Sequence, residues 1–299
     1  MNGGYMKILV LLLISISSIA YGGSFEDCFK KAKHKRDNHS ILGIDMIYVI
    51  NSKKNLKIFR QIKKDFSDYD VVPYRFDAVN PKAMSYKTLS TLGVKMINTR
   101  SDFAALRLKK GWFHPSLKAS IMDDGARTYF SPIMTFKKIA RNLDYLSVIY
   151  DGYKNNKHCI WVMEDNVQVN QDPSVLTSRL TQLDKADPAW DILYTDVQAK
   201  LETGSHEDDL EAFNLNRPDI SFGDIQQYIN RDQPIGDFSG IGLRSGAYSF
   251  ILSRHGMKVI LDYYHTYHFF VPFDKEILLI PGIHVYGLMD AVVTNDRPL

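Results

Sequence analysis

The sequence predicts a single α/β domain in which a mostly parallel central sheet is flanked by helices. Short apolar runs of β-branched and aromatic residues alternate along the chain with longer segments whose apolar residues recur at helical spacing. The first pair shows the pattern, since the run 46–50 precedes apolar residues at helical spacing, namely Leu56, Phe59, Ile62 and Phe66. No internal repeat or break in composition divides the chain. Such alternation favours parallel strands joined by crossover helices.

The later elements follow from the same two periodicities. A long amphipathic helix is predicted over 130–153, with Ser131 as its N-cap and Pro132 in its first turn. The stretch 198–245 has weak periodicity and is expected to form a functional loop or lid. The other expected elements are a strand at 71–76, a short helix at 86–92, a strand at 159–163, a helix at 176–183, strands at 192–195 and 248–252, and a helix at 256–264.

Composition and charge exclude several classes of protein. The chain has 299 residues, of which 45% are hydrophobic, so it can bury a sizeable core and is not a disordered chain. Its 37 Lys and Arg against 34 Asp and Glu give a net charge of +3. That charge is too small to imply nucleic-acid binding without a concentrated basic patch. The locally basic segment 30–36 is expected to be a solvated start of the mature chain, so nucleic acid is not an expected partner.

The N-terminus has the pattern of a secretory signal peptide. Lys7 precedes an apolar run at 8–20, and small residues follow at Gly22 and Gly23. We expect residues 1–22 to be the signal peptide and the protein to be exported, to the periplasm or outside the cell. The run is shorter than the roughly 20 residues that span a bilayer, so no permanent transmembrane anchor is expected. The alternative is a buried hydrophobic helix of the fold.

Two cysteines, Cys28 and Cys159, remain after the signal segment. An oxidising compartment would permit a disulfide bond between them. The alternative is two unrelated cysteines, with Cys159 packed as a small hydrophobic residue at the edge of the core. The sequence leaves both open.

Acidic residues follow the predicted buried strand at 159–163. Glu164, Asp165 and Asn166 stand at its carboxyl end, where ligands bind in open α/β sheets. Two adjacent carboxylates resist joint ionisation unless a cation compensates them, so a divalent metal such as Mn²⁺ or Mg²⁺ is a sensible ligand. Such a metal could neutralise a diphosphate leaving group. The alternative is an ordinary turn capped by Asp165 or Asn166.

The order of short motifs along the chain is more specific than any one of them. The motifs are Ile47–Asn51, Phe76–Val79, the helix after Ser131, Glu164–Asn166, Trp190–Leu193, Gly246–Ser253 and Pro272–Asp274. In this order they resemble glycosyltransferase family 25, the lipopolysaccharide and collagen galactosyltransferase-like family, over roughly 44–294. The resemblance implies a nucleotide-diphospho-sugar transferase (GT-A type) fold over 44–299, preceded by an N-terminal extension at 23–43. It also implies inverting transfer of a sugar, with galactose as a candidate, from a nucleotide-sugar donor to a glycan or glycolipid acceptor.

The resemblance also implies roles for individual residues. Asn51 matches the nucleotide pocket, and Glu164 and Asp165 match the acids that contact the donor ribose and the metal. Gly246 and Tyr248 match a strand that contacts the acceptor.

Two positions depart from the family pattern. Asn166 replaces the last acid, and an amide oxygen is a weaker metal ligand than a carboxylate, although Asp165 and Asn166 remain the expected metal ligands. The arginine that usually follows the first strand is displaced, and Arg60 is the nearest candidate for donor binding.

Inverting transfer needs a carboxylate base distinct from the metal-bound acids. Asp274 is the predicted base because it follows Pro272, where the resemblance places acceptor contacts, and Asp196 is the second candidate. The alternative role for Asp274 is to cap the turn that leads to Ile277. His265 and His268 lie among aromatic residues, so packing is expected of them and not zinc binding.

Three functional classes remain open from the sequence. The transferase is the favoured interpretation. A non-catalytic exported protein of the same fold that binds glycans or nucleotides is the main alternative, and Asn166 and the signal segment motivate it. A glycoside hydrolase would need two carboxylates that face each other across the bond, which a sequence cannot show.

Overall fold

The computed structural model describes residues 24–33, 35–94, 121–123, 127–129, 131, 133–196 and 233–295. The predicted signal segment, Pro132 and most of the predicted loop or lid lie outside the described residues. In the part of the chain that is described, no helix is both long enough and apolar enough to cross a membrane.

Seven strands form the central sheet, in the order β2-β1-β5-β9-β7-β10-β8. Five of them run in one direction, and β9 and β8 run in the other. The predicted α/β architecture with a mostly parallel sheet is therefore confirmed. The strands are β1 (Met46–Asn51), β2 (Tyr74–Asp77), β5 (Cys159–Glu164), β7 (Ile192–Tyr194), β8 (Phe238–Gly240), β9 (Ser249–Ser253) and β10 (Val285–Leu288). Two-stranded pairs are formed by β3 (Ile121–Asp123) with β4 (Arg127–Tyr129) and by β6 (Gln168–Val169) with β11 (Val293–Thr294).

Helices cover both faces of the sheet. On one face α3 and α5 pack through residues such as Leu146 and Ile260, and on the other α1 and α4 pack through residues such as Phe66 and Leu180. The central strands β1 and β5 are buried along their whole length because both faces are covered. The helices are α1 (Leu56–Ser67), α2 (Tyr86–Thr91), α3 (Phe136–Lys154), α4 (Val175–Ala186), α5 (Arg254–Tyr267) and the short α6 (Phe273–Glu276).

Helix α3 begins later than the sequence predicts. Its first residue is Phe136, and its N-cap is Thr135, whose hydroxyl accepts a hydrogen bond from the Lys138 backbone N–H at 3.3 Å. Ser131 instead lies in a turn, where its carbonyl accepts from the Met134 N–H at 3.2 Å. The predicted start at 130 and the N-cap role of Ser131 are therefore wrong. The later start places Lys137 and Lys138 in the first turn of α3.

The segment before β1 is part of the core. Phe25 and Phe29 are buried among residues of the α3 and α5 side. Lys30 and Lys35 form ion pairs with Asp77 at 2.8 Å and with Asp151 at 2.9 Å. The expected solvated start of the mature chain holds for Lys31, Lys33 and Arg36, which are exposed. It does not hold for Lys30 and Lys35, which are half-buried because they meet acidic partners on β2 and α3.

Both cysteines and two of the histidines have roles in packing. Cys28 and Cys159 are both free thiols, so the disulfide is not formed. Burial raises the pKa of the Cys159 thiol, as expected of a thiol packed inside the core. His265 and His268 lie against the ring of Phe25, with centroid distances of 6.4 and 5.7 Å, as the packing role predicted.

Candidate functional site

A cleft of about 330 Å³ opens at the carboxyl end of β5. Its walls are the first turns of α3, the loop at 245–248 and α6. Four of the nine residues that the sequence singled out line it together, namely Glu164, Gly246, Tyr248 and Asp274. Its remaining charged residues are Lys137, Lys138, Arg141 and Lys275.

Glu164 forms the floor of the cleft. It is the last residue of β5 and is only 6% exposed. Both of its carboxylate oxygens accept hydrogen bonds from Nη1 of Arg141 at 2.8 Å, and Oε1 also accepts from the hydroxyl of Tyr145. Arg141 is 59% exposed, and the described residues place no hydrogen bond on its Nε or Nη2. Glu164 therefore anchors an arginine that lines the cleft and has donors left over for a ligand.

Burial is the main cause of the pKa shifts of Glu164 and Tyr145. It raises the pKa of Glu164, and the nearby Asp274 and Asp165 raise it further, whereas Arg141 and the Tyr145 hydrogen bond oppose the rise. Burial and Glu164 also raise the pKa of Tyr145, so its hydroxyl stays protonated and donates. The arrangement is a buried carboxylate held by one cation and one neutral donor.

Asp274 lies opposite, on α6. Its Oδ2 accepts from the Gly246 backbone N–H at 2.8 Å and from Lys275 Nζ at 2.6 Å. Its side chain is 21% exposed, and no hydrogen bond from the described residues reaches Oδ1. The alternative role as a turn cap is wrong, because Oδ2 bonds a distant loop and Pro272 is the N-cap of α6.

Gly246 lies against both Asp274 and Tyr248. Its φ of +81° lies in the region that favours glycine. A Cβ atom at this position would overlap the ring of Tyr248. Burial, Glu164 and Asp274 all raise the pKa of Tyr248, whose ring lines the cleft. The loop therefore requires a glycine at 246 for two reasons: the positive φ, and the lack of room for a Cβ atom beside the Tyr248 ring.

Asn51 and Asp165 form a separate cluster at the ends of β1 and β5. The Asn51 amide donates to Asp165 Oδ2 at 2.8 Å and to the Asn55 carbonyl at 3.0 Å, and its Oδ1 accepts from Arg75 Nε at 2.8 Å. Asn51 is fully buried, so its amide connects strand ends and has no group free for a base or ribose. Neither Asn51 nor Asp165 lines the cleft.

The residues expected to hold a metal fit it only in part. Asn166 Oδ1 is buried without a hydrogen-bond partner, which suits a cation ligand beside Asp165. Glu164 is unavailable because Arg141 and Tyr145 occupy its oxygens. Among the described residues, no group of three or more His, Cys, Asp and Glu side chains could hold a metal ion. One carboxylate and one amide would need water and substrate phosphate to complete a Mg²⁺ shell.

Asp196 is paired inside the protein. Its Oδ2 accepts from Arg244 Nη2 at 2.9 Å, and both side chains are fully buried. The Arg244 guanidinium stacks on the ring of Tyr194, 3.9 Å from its centroid. Burial raises the pKa of Asp196, and Arg244 opposes the rise. Asp196 does not line the cleft. Arg60 is exposed on α1 and does not line it either.

Sequence reasoning missed the polar face of α3. Lys137, Arg141 and Tyr145 are four residues apart and line the cleft as one stripe. Asn142 holds the segment that precedes Asp274, because its amide donates to the Val271 carbonyl and accepts from the Phe273 N–H. Polar residues at helical spacing mark this face in the sequence, whereas the apolar spacing alone marks only the opposite, buried face.

No known family model matches the sequence, and no curated protein matches it. The resemblance to glycosyltransferase family 25 therefore stays a prediction from the order of the motifs.

Proposed function

We propose that the protein is an exported glycosyltransferase that moves a sugar, with inversion, from a nucleotide-diphosphate sugar to a glycan or glycolipid acceptor. The observation that carries the proposal is that Glu164, Gly246, Tyr248 and Asp274 line one cleft. The motif order assigned the first to donor contacts and the others to the acceptor side, although they are far apart in the sequence. The mostly parallel sheet is compatible with the GT-A type fold.

Asp274 is the proposed base. Its half-buried carboxylate lines the cleft, and Oδ1 accepts no hydrogen bond from the described residues. In the transfer the acceptor oxygen forms a bond to the anomeric carbon while the bond from that carbon to the diphosphate breaks, and the hydroxyl proton passes to Asp274. The Gly246 N–H and Lys275 hold the other oxygen and so fix the direction of the carboxylate. Asp196, buried in its pair with Arg244, has no comparable access.

The other cleft residues would orient the reactants. Glu164 anchors Arg141, whose remaining donors can bind sugar hydroxyls or phosphate oxygens. Tyr248 offers an aromatic face and a hydroxyl to the acceptor. A divalent cation held by Asp165 and Asn166 would supply charge neutralisation for the departing diphosphate.

A glycoside hydrolase is the second candidate, because Glu164 and Asp274 are two carboxylates in one cleft. Hydrolysis requires both carboxylates, one to protonate the leaving oxygen and the other to act as nucleophile or to activate water. Asp274 has a free oxygen, but both oxygens of Glu164 already accept hydrogen bonds, so Glu164 cannot take the second role. The geometry therefore favours the transferase.

The test is a screen of the purified protein, from Ser24 onward, against nucleotide sugars with and without manganese and against aryl glycosides. Release of nucleoside diphosphate that depends on an acceptor supports the proposal. Release of free sugar from glycosides alone would support the hydrolase. Binding of nucleotide or glycan without turnover would support the non-catalytic alternative.

A further inference from the structure

Two clefts meet at Lys137. The cleft that contains Glu164 and Asp274 has Lys137 on its wall, and so does a second groove of about 610 Å³. The second groove is lined by Lys54, Asn80, Pro81, Lys82, Met84, Tyr86, Leu89 and Phe136 besides Lys137. A ligand that extended from one cleft to the other would pass Lys137.

The first cleft has more positive than negative charge. Its two carboxylates each have a cation of their own, Arg141 on Glu164 and Lys275 on Asp274. Lys137 and Lys138 also line it, and neither has an acidic partner within ion-pair distance among the described residues. Unpaired lysines beside a cleft attract an anion.

The backbone adds to this positive charge. Lys137 and Lys138 are the second and third residues of α3, which has 19 residues. The Thr135 hydroxyl accepts from the Lys138 backbone N–H. The first N–H groups and the dipole of a long helix still give its start a partial positive charge that favours phosphate groups. Charged side chains and helix dipole therefore act at the same place.

The second groove is aromatic as well as basic. Tyr86 is 68% exposed and Phe136 is 39% exposed, and both rings line this groove. Flat rings of this kind offer a surface on which a heterocyclic base can stack. Lys54 and Lys82 stand at the same groove.

We propose that Lys137 and Lys138 bind the two phosphates of a nucleoside diphosphate, whose base lies in the groove at Tyr86 and Phe136. The sugar joined to the second phosphate then enters the cleft of Glu164 and Asp274. This inference rests on the proposed function, and it assigns the diphosphate to two lysines of α3 for which the family resemblance implies no role.

Calorimetric titration of the wild-type protein with UDP, GDP, CDP and pyrophosphate, in EDTA and in manganese, tests the assignment. The double variant Lys137→Ala with Lys138→Ala should bind both nucleoside diphosphate and pyrophosphate about tenfold or more weakly than wild type. The reason is that charge-assisted hydrogen bonds to the phosphates are lost. Arginine at both positions should preserve binding. Tyr86→Ala should weaken the binding of nucleoside diphosphate but not of pyrophosphate, because pyrophosphate has no base to stack on the ring. Lys185→Ala, on α4 at the opposite face of the sheet, is the matched control.

The outcomes separate this inference from the proposed function. Equal affinities of wild type and the double alanine variant, with unchanged thermal unfolding, overturn the lysine assignment but leave the transferase standing. If Tyr86→Ala weakens pyrophosphate as much as nucleoside diphosphate, the stacking role is overturned. If the wild type binds none of the nucleoside diphosphates, both the inference and the proposed function fail.

Discussion

Among the carboxylates of the candidate site, Asp274 and Glu164 differ in how many oxygens remain free. Glu164 has both oxygens bound and is buried, so it acts as an anchor for Arg141. Asp274 uses only Oδ2 for bonds to Gly246 and Lys275. A general base needs an accessible oxygen within reach of the acceptor hydroxyl, which Asp274 alone of the two provides.

Asp274→Asn tests this role. The amide keeps the shape and can still accept from the Gly246 N–H, but it cannot take up a proton. Turnover should fall about 100-fold or more, with donor affinity little changed. Steady-state kinetics with a titration of nucleoside diphosphate separates the two effects. Asp196→Asn is the comparison, and the base assignment moves to Asp196 if that variant loses turnover while Asp274→Asn retains it.

Gly246→Ala tests the geometry of the acceptor wall. The added methyl group would overlap the Tyr248 ring at a backbone conformation that favours glycine. We expect a loss of stability of about 1–3 kcal/mol and a displaced Asp274. Denaturation midpoints and acceptor KM measure the two effects. Gly236→Ala is the control, because it has a similar positive φ and open space around the Cβ position. Equal behaviour of the two variants would contradict the role of the Tyr248 contact.

The sequence indicates the acids of the site but cannot show that their side chains contact different groups of residues. Glu164 and Asp165 are neighbours in the chain, and neighbouring side chains at a strand end point in different directions. One meets Arg141 and Tyr145, and the other meets Asn51 and Asn55. A shared metal site for both acids was therefore a reasonable prediction, and only the packing of α3 against β5 revealed the separation.

At the scale of elements, α3 determines the shape of the site. It supplies three of the four cations of the cleft, the fourth being Lys275 of α6. It also carries a buried acid, Asp144, which is 7% exposed. Asp144 Oδ1 accepts from the Val79 N–H at 2.6 Å. Burial raises the pKa of Asp144 to about 8, with a further rise from Glu164, although the Val79 hydrogen bond, Arg141 and Lys30 oppose it. The carboxyl group is thus protonated more readily in the folded protein than in the unfolded chain.

This raised pKa predicts a pH dependence of stability. Between pH of about 4 and 8 the folded protein keeps a proton that the unfolded chain has lost, so the free energy of unfolding falls as the pH rises, by at most about 1.4 kcal/mol per pH unit. Below and above that window the contribution is constant. Asp144→Asn removes this pH-dependent contribution to the free energy of unfolding. The variant should therefore gain stability relative to wild type as the pH rises. Urea denaturation from pH 4 to 9 measures the difference.

The exposed Asp68→Asn, at the end of α1, is the control for that titration. A wild-type curve parallel to the Asp144→Asn curve across the whole range would show that Asp144 is ionised in the folded protein, and the raised pKa would be wrong.

The elements themselves were easier to predict than their directions or ends. Strand β9 was recognised as an apolar run, but such a run looks the same in either direction, so its antiparallel place between β5 and β7 could not be foreseen. The sequence does not fix the start of α3, because Ser131 and Thr135 both have side chains suited to an N-cap. Only the hydrogen bond from Lys138 to Thr135 distinguishes them.

At the scale of the whole molecule, the α/β class followed from the alternating periods, but the contribution of the N-terminal segment did not. No apolar periodicity marks residues 24–36. Phe25 and Phe29 nevertheless complete the core beside α5, and Lys30 and Lys35 pair with Asp77 and Asp151. These are contacts between residues far apart in sequence, so a local pattern cannot reveal them.

This packing limits where an export signal could be removed. We predict that the mature chain begins near Tyr21–Gly23, which keeps Phe25 and Phe29. A chain that begins at Ser24 should be as stable as one that begins at Gly22, whereas a chain that begins at Arg36 should lose about 5 kcal/mol or more, since truncation of one buried Phe side chain alone costs about 3–5 kcal/mol. Urea denaturation compares the three chains, and mass spectrometry of the protein from its native host gives the natural start. An intact Met1, or a start after Phe29 in a stable protein, would contradict the prediction.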